Sequence, residues 1–285
     1  MGKSTLISVN TTLNCGGKLI DLSHPVIMGI LNVTPDSFYD GGKYATEAEL
    51  LYQTELMLNK GAGIIDIGGM SSRPGAVIID TYTELQRVVP AINAIAKRFP
   101  EAVISVDTVK AEVAKEAVMS GAGMINDISA GSIDSELLPA VAQLGVPYIL
   151  MHIQGKPENM QVNPIYTDVV KEVLQFFIEK LSRLRSLGVK DVIIDPGFGF
   201  GKTVAQNYQL LKHLQTFQLM GLPIMAGVSR KSMICKVLGV NPDKALNGTT
   251  ALHTLALLNG ASILRVHDVR EAVEVVELLK VYNGG

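Results

Sequence analysis

Three things are scarce in this sequence, and each scarcity excludes a class of protein. Cysteine occurs only twice in 285 residues, at Cys15 and Cys235. That separation has no metal-ligand spacing and builds no disulfide framework, so both read as reduced structural thiols. Charge is scarce too: 18% of residues are charged, and 25 Lys+Arg against 27 Asp+Glu leave a net charge of -2. A general nucleic-acid binder is usually basic, which sets that class aside. Long apolar runs are missing as well. Val26–Leu31, itself interrupted by Gly29, is among the longest, far from the roughly 18 residues of a membrane span. The N-terminus has no apolar core followed by a small-residue cleavage site, so no export signal is visible and a cytoplasmic location is expected.

What remains is apolar and rich in glycine. Hydrophobic residues make up 47% and glycine contributes 27 positions, which excludes disorder. No long polar or Pro/Gly-rich stretch divides the chain, so residues 1–285 are expected to form one domain. Eight short runs rich in β-branched residues read as buried strands: Val26–Leu31, Ile64–Ile67, Val103–Val106, Met124–Asn126, Tyr148–Met151, Val192–Ile194, Ile224–Val228 and Ile263–Val266. Helical spacing fills several gaps: Glu47–Asn59 with Thr46 as N-cap, Thr83–Phe99, Lys110–Ser120, Asp168–Leu187 and Arg270–Val281. Pro90 should kink the second of these or mark its true start. Gly61, Gly121, Gly145, Gly188 and Gly260 punctuate helix-to-strand junctions. The repeat fits an α/β protein of the (β/α)8 TIM-barrel type, with an open doubly wound sheet as second choice. Leu6–Val9 and Lys18–Leu22, flanking Cys15-Gly16-Gly17, predict a short N-terminal β-hairpin over the barrel bottom.

Polar residues gather where the strands end. Asn32, Asp66, Asp107, Asn126-Asp127, His152, Asp195, Ser229-Arg230-Lys231, and Arg265 with His267-Asp268 each sit at or after one. A lone Asp there is most often a helix cap. Eight in succession point to the rim that carries active sites in barrels. Arg73, Lys231, Arg265 and His267 supply positive charge for a phosphate or diphosphate. Asp107, Asn126 and Asp195 supply acceptors and an amide for a nitrogen heterocycle. Neither Gly2-Lys3-Ser4-Thr5 nor Gly197–Thr203 has the glycine spacing of a nucleotide loop.

Several of these segments resemble the dihydropteroate synthases: Asn32–Gly42, Asp66–Gly69 with Ser71–Gly75, Ser105–Thr108, Asn126–Ile128, Met151-His152, Asp195–Lys202, Ser229–Ser232 and Arg265–Val269, in that order. The resemblance implies condensation of a 6-hydroxymethyl-7,8-dihydropterin diphosphate with 4-aminobenzoate, with Mg2+ required and diphosphate released. It implies catalytic roles for Asp107, Asp195, Lys231, Arg265, His267 and Asp40. Asp107, Asn126, Asp195, Lys231, Arg265, Met151, Phe200 and Gly199 would hold the pterin, Arg265 by stacking on its face. Asn32, Ser72, Arg73, Arg265 and His267 would hold the diphosphate, Asn32 also touching Mg2+. Phe38, Pro74, Phe200, Lys231 and Ser232 would line the aminobenzoate pocket, the last at a helix N-terminus. The implied partners are these small molecules and a second copy of the chain, a homodimer formed through barrel helices, with no nucleic acid and no membrane.

The chain departs from the family pattern at Met70, usually acidic, and at Ser72, commonly Thr. Two alternatives stay open. A methyltetrahydrofolate–corrinoid methyltransferase shares the pterin contacts but needs no diphosphate site. A non-catalytic pterin-binding paralogue would have lost Asn32, Arg73, Lys231, Arg265 or His267, all of which are present.

Overall fold

A computed structural model of the protein describes residues 12–34, 42–70, 78–155, 160 and 164–284, with the backbone alone over 42–46. Ten strands are present among these: β1 (Thr12–Cys15), β2 (Lys18–Asp21), β3 (Val26–Asn32), β4 (Ile64–Gly68), β5 (Val103–Asp107), β6 (Met124–Asp127), β7 (Tyr148–Met151), β8 (Val192–Asp195), β9 (Met225–Ala226) and β10 (Ile263–Val266). The helices between and after them are α1 (Gly42–Asn59), α2 (Thr81–Arg98), α3 (Ala111–Met119), α4 (Leu137–Leu144), α5 (Val169–Ser186), α6 (Val204–Lys212), α7 (Ser232–Leu238), α8 (Leu246–Leu258) and α9 (Val269–Tyr282).

Strands β3 to β10 form one parallel sheet in the order β8-β7-β6-β5-β4-β3-β10-β9. A parallel bridge from Ile194 in β8 to Ile224, one residue before β9, joins the two ends. The ring therefore closes into a (β/α)8 barrel rather than an open doubly wound sheet. All eight predicted strands are present.

Side-chain alternation along each strand builds two interior layers. Met28, Ile64, Val103, Met124, Ile149, Ile193, Met225 and Ile263, one from each barrel strand, pack together as a lower apolar layer. Leu13, Cys15, Ile20 and Leu22 of the β1–β2 hairpin cover it from below. Two residues further along, the same face carries Asp66, Ser105, Asn126, Met151, Asp195, Gly227 and Arg265. The residues between, such as Ile65, Ile104, Ile125, Leu150, Ile194, Ala226 and Leu264, point outward and join the core beneath the helices. Period two thus places a polar layer directly above an apolar one.

Several boundaries differ from the sequence reading. The hairpin exists, but its first strand is Thr12–Cys15, not Leu6–Val9, which lies outside the described residues. Gly16 and Gly17, at φ +64° and +92°, make the two-residue turn that fixes this register. Helix α1 begins at Gly42, so Thr46 lies inside it and is not its N-cap. Helix α2 begins at Thr81, where Asp80 accepts from the Thr83 N–H at 2.9 Å, and it runs through Pro90. The exposed position of Pro90 in the middle of an otherwise well-anchored amphipathic helix makes that tolerable. Helix α6 is seen only in the structure, while the sequence marks α4 and α8 only by the glycines that follow them and α7 only by its start at Ser232. Gly145 ends α4 in the left-handed conformation, φ +64°, as the glycine junctions predict. Among the described residues no helix is long and apolar enough to cross a membrane.

Candidate active site

The polar layer is organised around one guanidinium. Arg265 on β10 donates through Nε to Asp66 Oδ2 at 2.6 Å and through Nη2 to Asp107 Oδ2 at 2.8 Å. Asn126 Nδ2 donates to the same Asp66 Oδ2 at 3.0 Å. Four strands are tied across the barrel mouth by these three bonds. Asp66 is fully buried and Asp107 only 5% exposed. Burial pushes the Asp107 carboxyl up to about 7, against the pull of Arg265. Burial also works against the Arg265 charge, but Asp66 and Asp107 hold it above its ordinary value. Asp66 Oδ1, Asn126 Oδ1 and Ser105 Oγ are buried without a hydrogen-bond partner. In a native interior such atoms call for a ligand or ordered water.

The loop after β8 forms the opposite wall. Asp195 accepts the Gly197 N–H at 2.8 Å, while its burial raises the carboxyl above the usual range. Gly197 adopts φ +70°, and a Cβ there would fall 1.9 Å from the His152 carbonyl oxygen, so no other residue fits. Lys202, 3% exposed, turns its ammonium back under this loop. It donates to the carbonyls of Gly197 and Phe200, each at 2.9 Å, and of His152 at 3.4 Å. The loop is thereby tied to the end of β7. It presents two things to Lys231: the Phe198 carbonyl, which accepts from the Lys231 ammonium, and the Phe200 ring, 4.5 Å from it. Burial lowers Lys231 to about 8, with Asp195 opposing.

At the third side, β9 and β10 end in two adjacent cross-links. Ser229 Oγ lies 3.0 Å from His267 Nδ1 and accepts the His267 backbone N–H at 3.2 Å. Arg230 grips Asp268 with two bonds, Nε to Oδ2 at 2.8 Å and Nη2 to Oδ1 at 2.7 Å.

Most of the predicted residues lie on this one rim. Asn32 ends β3 over Gly68, and Met151 lies buried at the end of β7. Gly199 stands in the loop at φ +82°, its N–H bonded to Asn207 Oδ1 at 2.7 Å. Ser232 is exposed at the first position of α7, with Lys231 as the capping residue. Ser232 is therefore not an N-cap. Phe38, Asp40, Ser72, Arg73 and Pro74 lie outside the described residues. Asp127 faces the other way, since Ile125 and Asp127 share the outward face of β6. Its carboxylate accepts from the N–H and hydroxyl of Ser129, the Gly131 N–H and the Tyr148 hydroxyl, a structural role. His152 is buried against the Phe176 ring, 4.8 Å between centroids, and burial lowers it to about 2, so it is neutral. Met70 is buried in an apolar cluster with Val109, Ile128, Met151, Met160 and Phe200.

Two residues that matter here were not singled out as site residues in the sequence. Asp66 was visible as one strand-end acid among several, and its parity with Arg265 was the available signal. Lys202 was visible only as the end of the glycine loop.

A closed barrel with carboxylates, an amide and cations converging on one rim is a barrel that binds a small, polar, nitrogen-rich ligand beside an anion. Comparison with known proteins narrows this. Residues 28–267 match the family described as pterin binding enzyme. The chain is 48% identical over 266 residues to dihydropteroate synthase of Escherichia coli strain K12, covering 93% of this chain and 94% of that one. A crystal structure of Yersinia pestis dihydropteroate synthase in a sulfonamide drug complex superposes with a TM-score of 0.90 at 44% identity, covering 96% and 100% of the two chains. Xanthomonas albilineans dihydropteroate synthase with 4-aminobenzoic acid also gives 0.90, at 41% identity over 96% and 99%. The chain belongs to the pterin-binding enzymes and, within them, to the dihydropteroate synthases.

The Lys202 arrangement predicts a measurable cost. Lys202→Met leaves the Gly197, Phe200 and His152 carbonyls without their donor and should lower unfolding stability by about 2–3 kcal/mol. Urea denaturation checks this; an unchanged midpoint would mean that the carbonyls are satisfied some other way.

Proposed function

We propose that this chain condenses 6-hydroxymethyl-7,8-dihydropterin diphosphate with 4-aminobenzoate, giving 7,8-dihydropteroate and diphosphate. The observation that carries the reading is the buried polar layer. Asp107, Asn126 and Asp195 converge on one space, and Asn126 Oδ1 is buried there without a partner. A heterocycle with adjacent ring N–H and amino groups can bond such carboxylates, and an amide can match either polarity. Arg265 spends its Nε–Nη2 edge on Asp66 and Asp107. That leaves its planar face for the pterin ring and its remaining nitrogen for the diphosphate. Met151, Phe200 and Gly199 supply the rest of the pterin wall, and Lys231 meets its carbonyl side.

The reaction breaks the bond between the pterin methylene carbon and a diphosphate oxygen. It forms one from that carbon to the arylamine nitrogen, which then loses a proton. Positive charge grows on the pterin as the bond ionises, and the Asp107 and Asp195 carboxylates stabilise it. Negative charge grows on the leaving diphosphate, where Arg265 and His267 are placed to receive it. An arylamine is already unprotonated near neutral pH, so attack needs no strong base. Asn32, with Ser72 and Arg73, completes the diphosphate side in this reading, and Asp40 helps close the pocket over Mg2+. Phe38, Pro74, Phe200, Lys231 and Ser232 complete the aminobenzoate side.

The described residues fit a role for Mg2+. Asn32 offers a hard amide oxygen at the barrel rim beside Gly68. Among the described residues no three His, Cys, Asp or Glu side chains gather to hold a metal. Mg2+ usually takes one or two protein oxygens and fills its sphere with water and substrate phosphates, as an Asn32 site would require. When bound, Mg2+ supplies neutralisation of charge on the leaving diphosphate. Methyl transfer to a corrinoid protein is not favoured, because it gives the cationic β9–β10 side no work.

The test is incubation with the dihydropterin diphosphate, 4-aminobenzoate and Mg2+. Diphosphate release that requires all three is expected; pterin binding without release would favour a non-catalytic role. A sulfonamide should compete with 4-aminobenzoate in the same assay.

Affinity for the dihydropterin should also depend on pH in both directions. Asp107 must be a carboxylate and burial places it at about 7, so binding weakens below that. Lys231 must keep its proton and burial places it at about 8, so binding weakens above that. Calorimetric titration across both values checks this, and a flat profile would remove both residues from the pterin contacts.

The second copy of the chain is part of the same reading. Leu255 and Leu258 on α8, with Leu278, Val281 and Tyr282 on α9, are exposed on two adjacent helices. Exposed apolar side chains grouped on neighbouring helices suit an interaction face. A homodimer through this face is expected in sedimentation, and Leu278→Asp with Val281→Asp should shift it to monomer; an unshifted dimer would place the interface elsewhere.

A further inference from the structure

We propose that Asp66 is a positioning residue: it fixes the Asn126 amide with Nδ2 turned to its own carboxylate and Oδ1 left as an acceptor, so that the site selects an amino-substituted ring edge over an oxo-substituted one. The ligand half of this rests on the proposed function; the orientation of the amide does not. A guanidinium can only donate. Asp66 Oδ2 lies 2.6 Å from Arg265 Nε and accepts from it, and a bond that short to a permanent cation keeps this oxygen free of a proton. The Asn126 amide meets the same oxygen at 3.0 Å. An oxygen that only accepts must face the amide's N–H, so Nδ2 is the atom on the Asp66 side.

The opposite orientation is closed off. In the sheet register Asn126 stands opposite Asp107, and Asp66 stands opposite Ser105 on the same strand, β5. The amide therefore reaches from β6 past β5 to β4. Turned over, it would set Oδ1 against Asp66 Oδ2, two oxygens with no proton between them. Asp66 is fully buried and Asn126 only 2% exposed, so water does not soften that contact. A hydroxyl in place of Asp66 could switch between accepting and donating; a carboxylate cannot.

With Nδ2 committed, the amide has two things left to offer. Oδ1 is buried without a hydrogen-bond partner, and beside it Nδ2 keeps a second N–H. An amino group next to a bare ring nitrogen matches this acceptor–donor pair. An oxo group next to a ring N–H has the reverse polarity. Asp107 and Asp195, as carboxylates, accept whichever way they turn. An amide by itself can match either polarity, so Asn126 is the member of the three whose preference needs fixing, and Asp66 fixes it. Arg265 holds Asp66 in turn, because its Nη2 is anchored on Asp107 at 2.8 Å.

Neutron diffraction from the deuterated wild-type protein separates nitrogen from oxygen and needs no ligand. Asn126 Nδ2, with its deuterons, is expected on the Asp66 side; Oδ1 on that side would overturn the proposal. This measurement decides even if an Asp66 variant fails to fold. In a second arm, calorimetry compares 6-hydroxymethylpterin with its 2-oxo counterpart, 6-hydroxymethyllumazine. The wild type should prefer the amino compound, and a preference for the oxo compound would also overturn the proposal. In Asp66→Asn, whose own amide can accept or donate, the preference should fall about tenfold, the effect of one mispaired buried amide. Loosened packing alone would weaken both compounds by the same factor, so an unchanged ratio in folded Asp66→Asn counts against Asp66. If the neutron map is as expected but neither compound binds the wild type, Asp66 still fixes the amide and the proposed function is what fails.

Discussion

The Arg265 guanidinium is the interaction on which the rest of the site depends. Asp66 and Asp107 lie inside the barrel mouth with almost no access to water, and two desolvated carboxylates there repel one another. Removing one partner of a buried ion cluster leaves an uncompensated charge, which is far costlier than never having built it. Arg265 resolves this with one rigid fork, its Nε on Asp66 and its Nη2 on Asp107. A lysine would present a single point charge and could not hold both oxygens in fixed directions. Because Asn126 shares the Asp66 oxygen, the position of the amide is inherited from the same contact. The polar layer at the barrel mouth is thus preorganised by one connected network. In that network one guanidinium faces two carboxylates.

The glycine loop after β8 solves the complementary problem, how to aim carbonyls and an aromatic ring into a site without a regular element. Backbone carbonyls turned inward need donors. Lys202 supplies three from a single buried ammonium, much as a bound cation would. Burial holds that ammonium well below its usual pKa, against the pull of Asp195, so the arrangement depends on tight carbonyl contacts to retain the proton. With the loop fixed, the Phe198 carbonyl and the Phe200 ring together hold Lys231. The link from Lys202 to Lys231 runs through the loop backbone and the Phe200 ring. Gly197 tolerates no side chain because the His152 carbonyl lies against it, while Asn207 bonds the Gly199 N–H and the Lys202 and Thr203 carbonyls.

Much of this was legible from residue order alone. Eight β-branched runs ending in polar residues gave the barrel and its working rim, because burial on both faces and a period of two leave strong marks in a sequence. What was illegible has a physical reason in each case. Helix α8 has apolar and polar residues all round, with Thr249 and His253 buried and Leu255 and Leu258 exposed, so it shows no stripe. Thr46 has the residue type of an N-cap, yet α1 starts four residues earlier, at Gly42. Asp127 was grouped with Asn126 although adjacent strand residues face opposite ways. Strand parity puts Asp66 on the inner face, but its role comes from a contact with Arg265, nearly two hundred positions away.

Met70 shows how the site can depart from the family pattern and keep its electrostatics. The turn that carries it is packed hard onto α2: a Cβ on Gly69 would meet Val88 Cγ1 at 2.8 Å and Glu84 Cγ at 3.3 Å. Glu84 is itself fully buried, paired with Lys110 at 2.7 Å, and one of its carboxylate oxygens has no partner. A second acid at the next position would need a cation of its own or would have to stay protonated. Methionine needs neither. Its thioether and unbranched stem fill the space among Val109, Ile128, Met151, Met160 and Phe200, and flexible methionines suit such irregular gaps. Met151 and Phe200 are also pterin-side residues in the proposed function. Met70 therefore gives apolar support to Met151 and Phe200 and leaves the balance of Arg265 against Asp66 and Asp107 untouched.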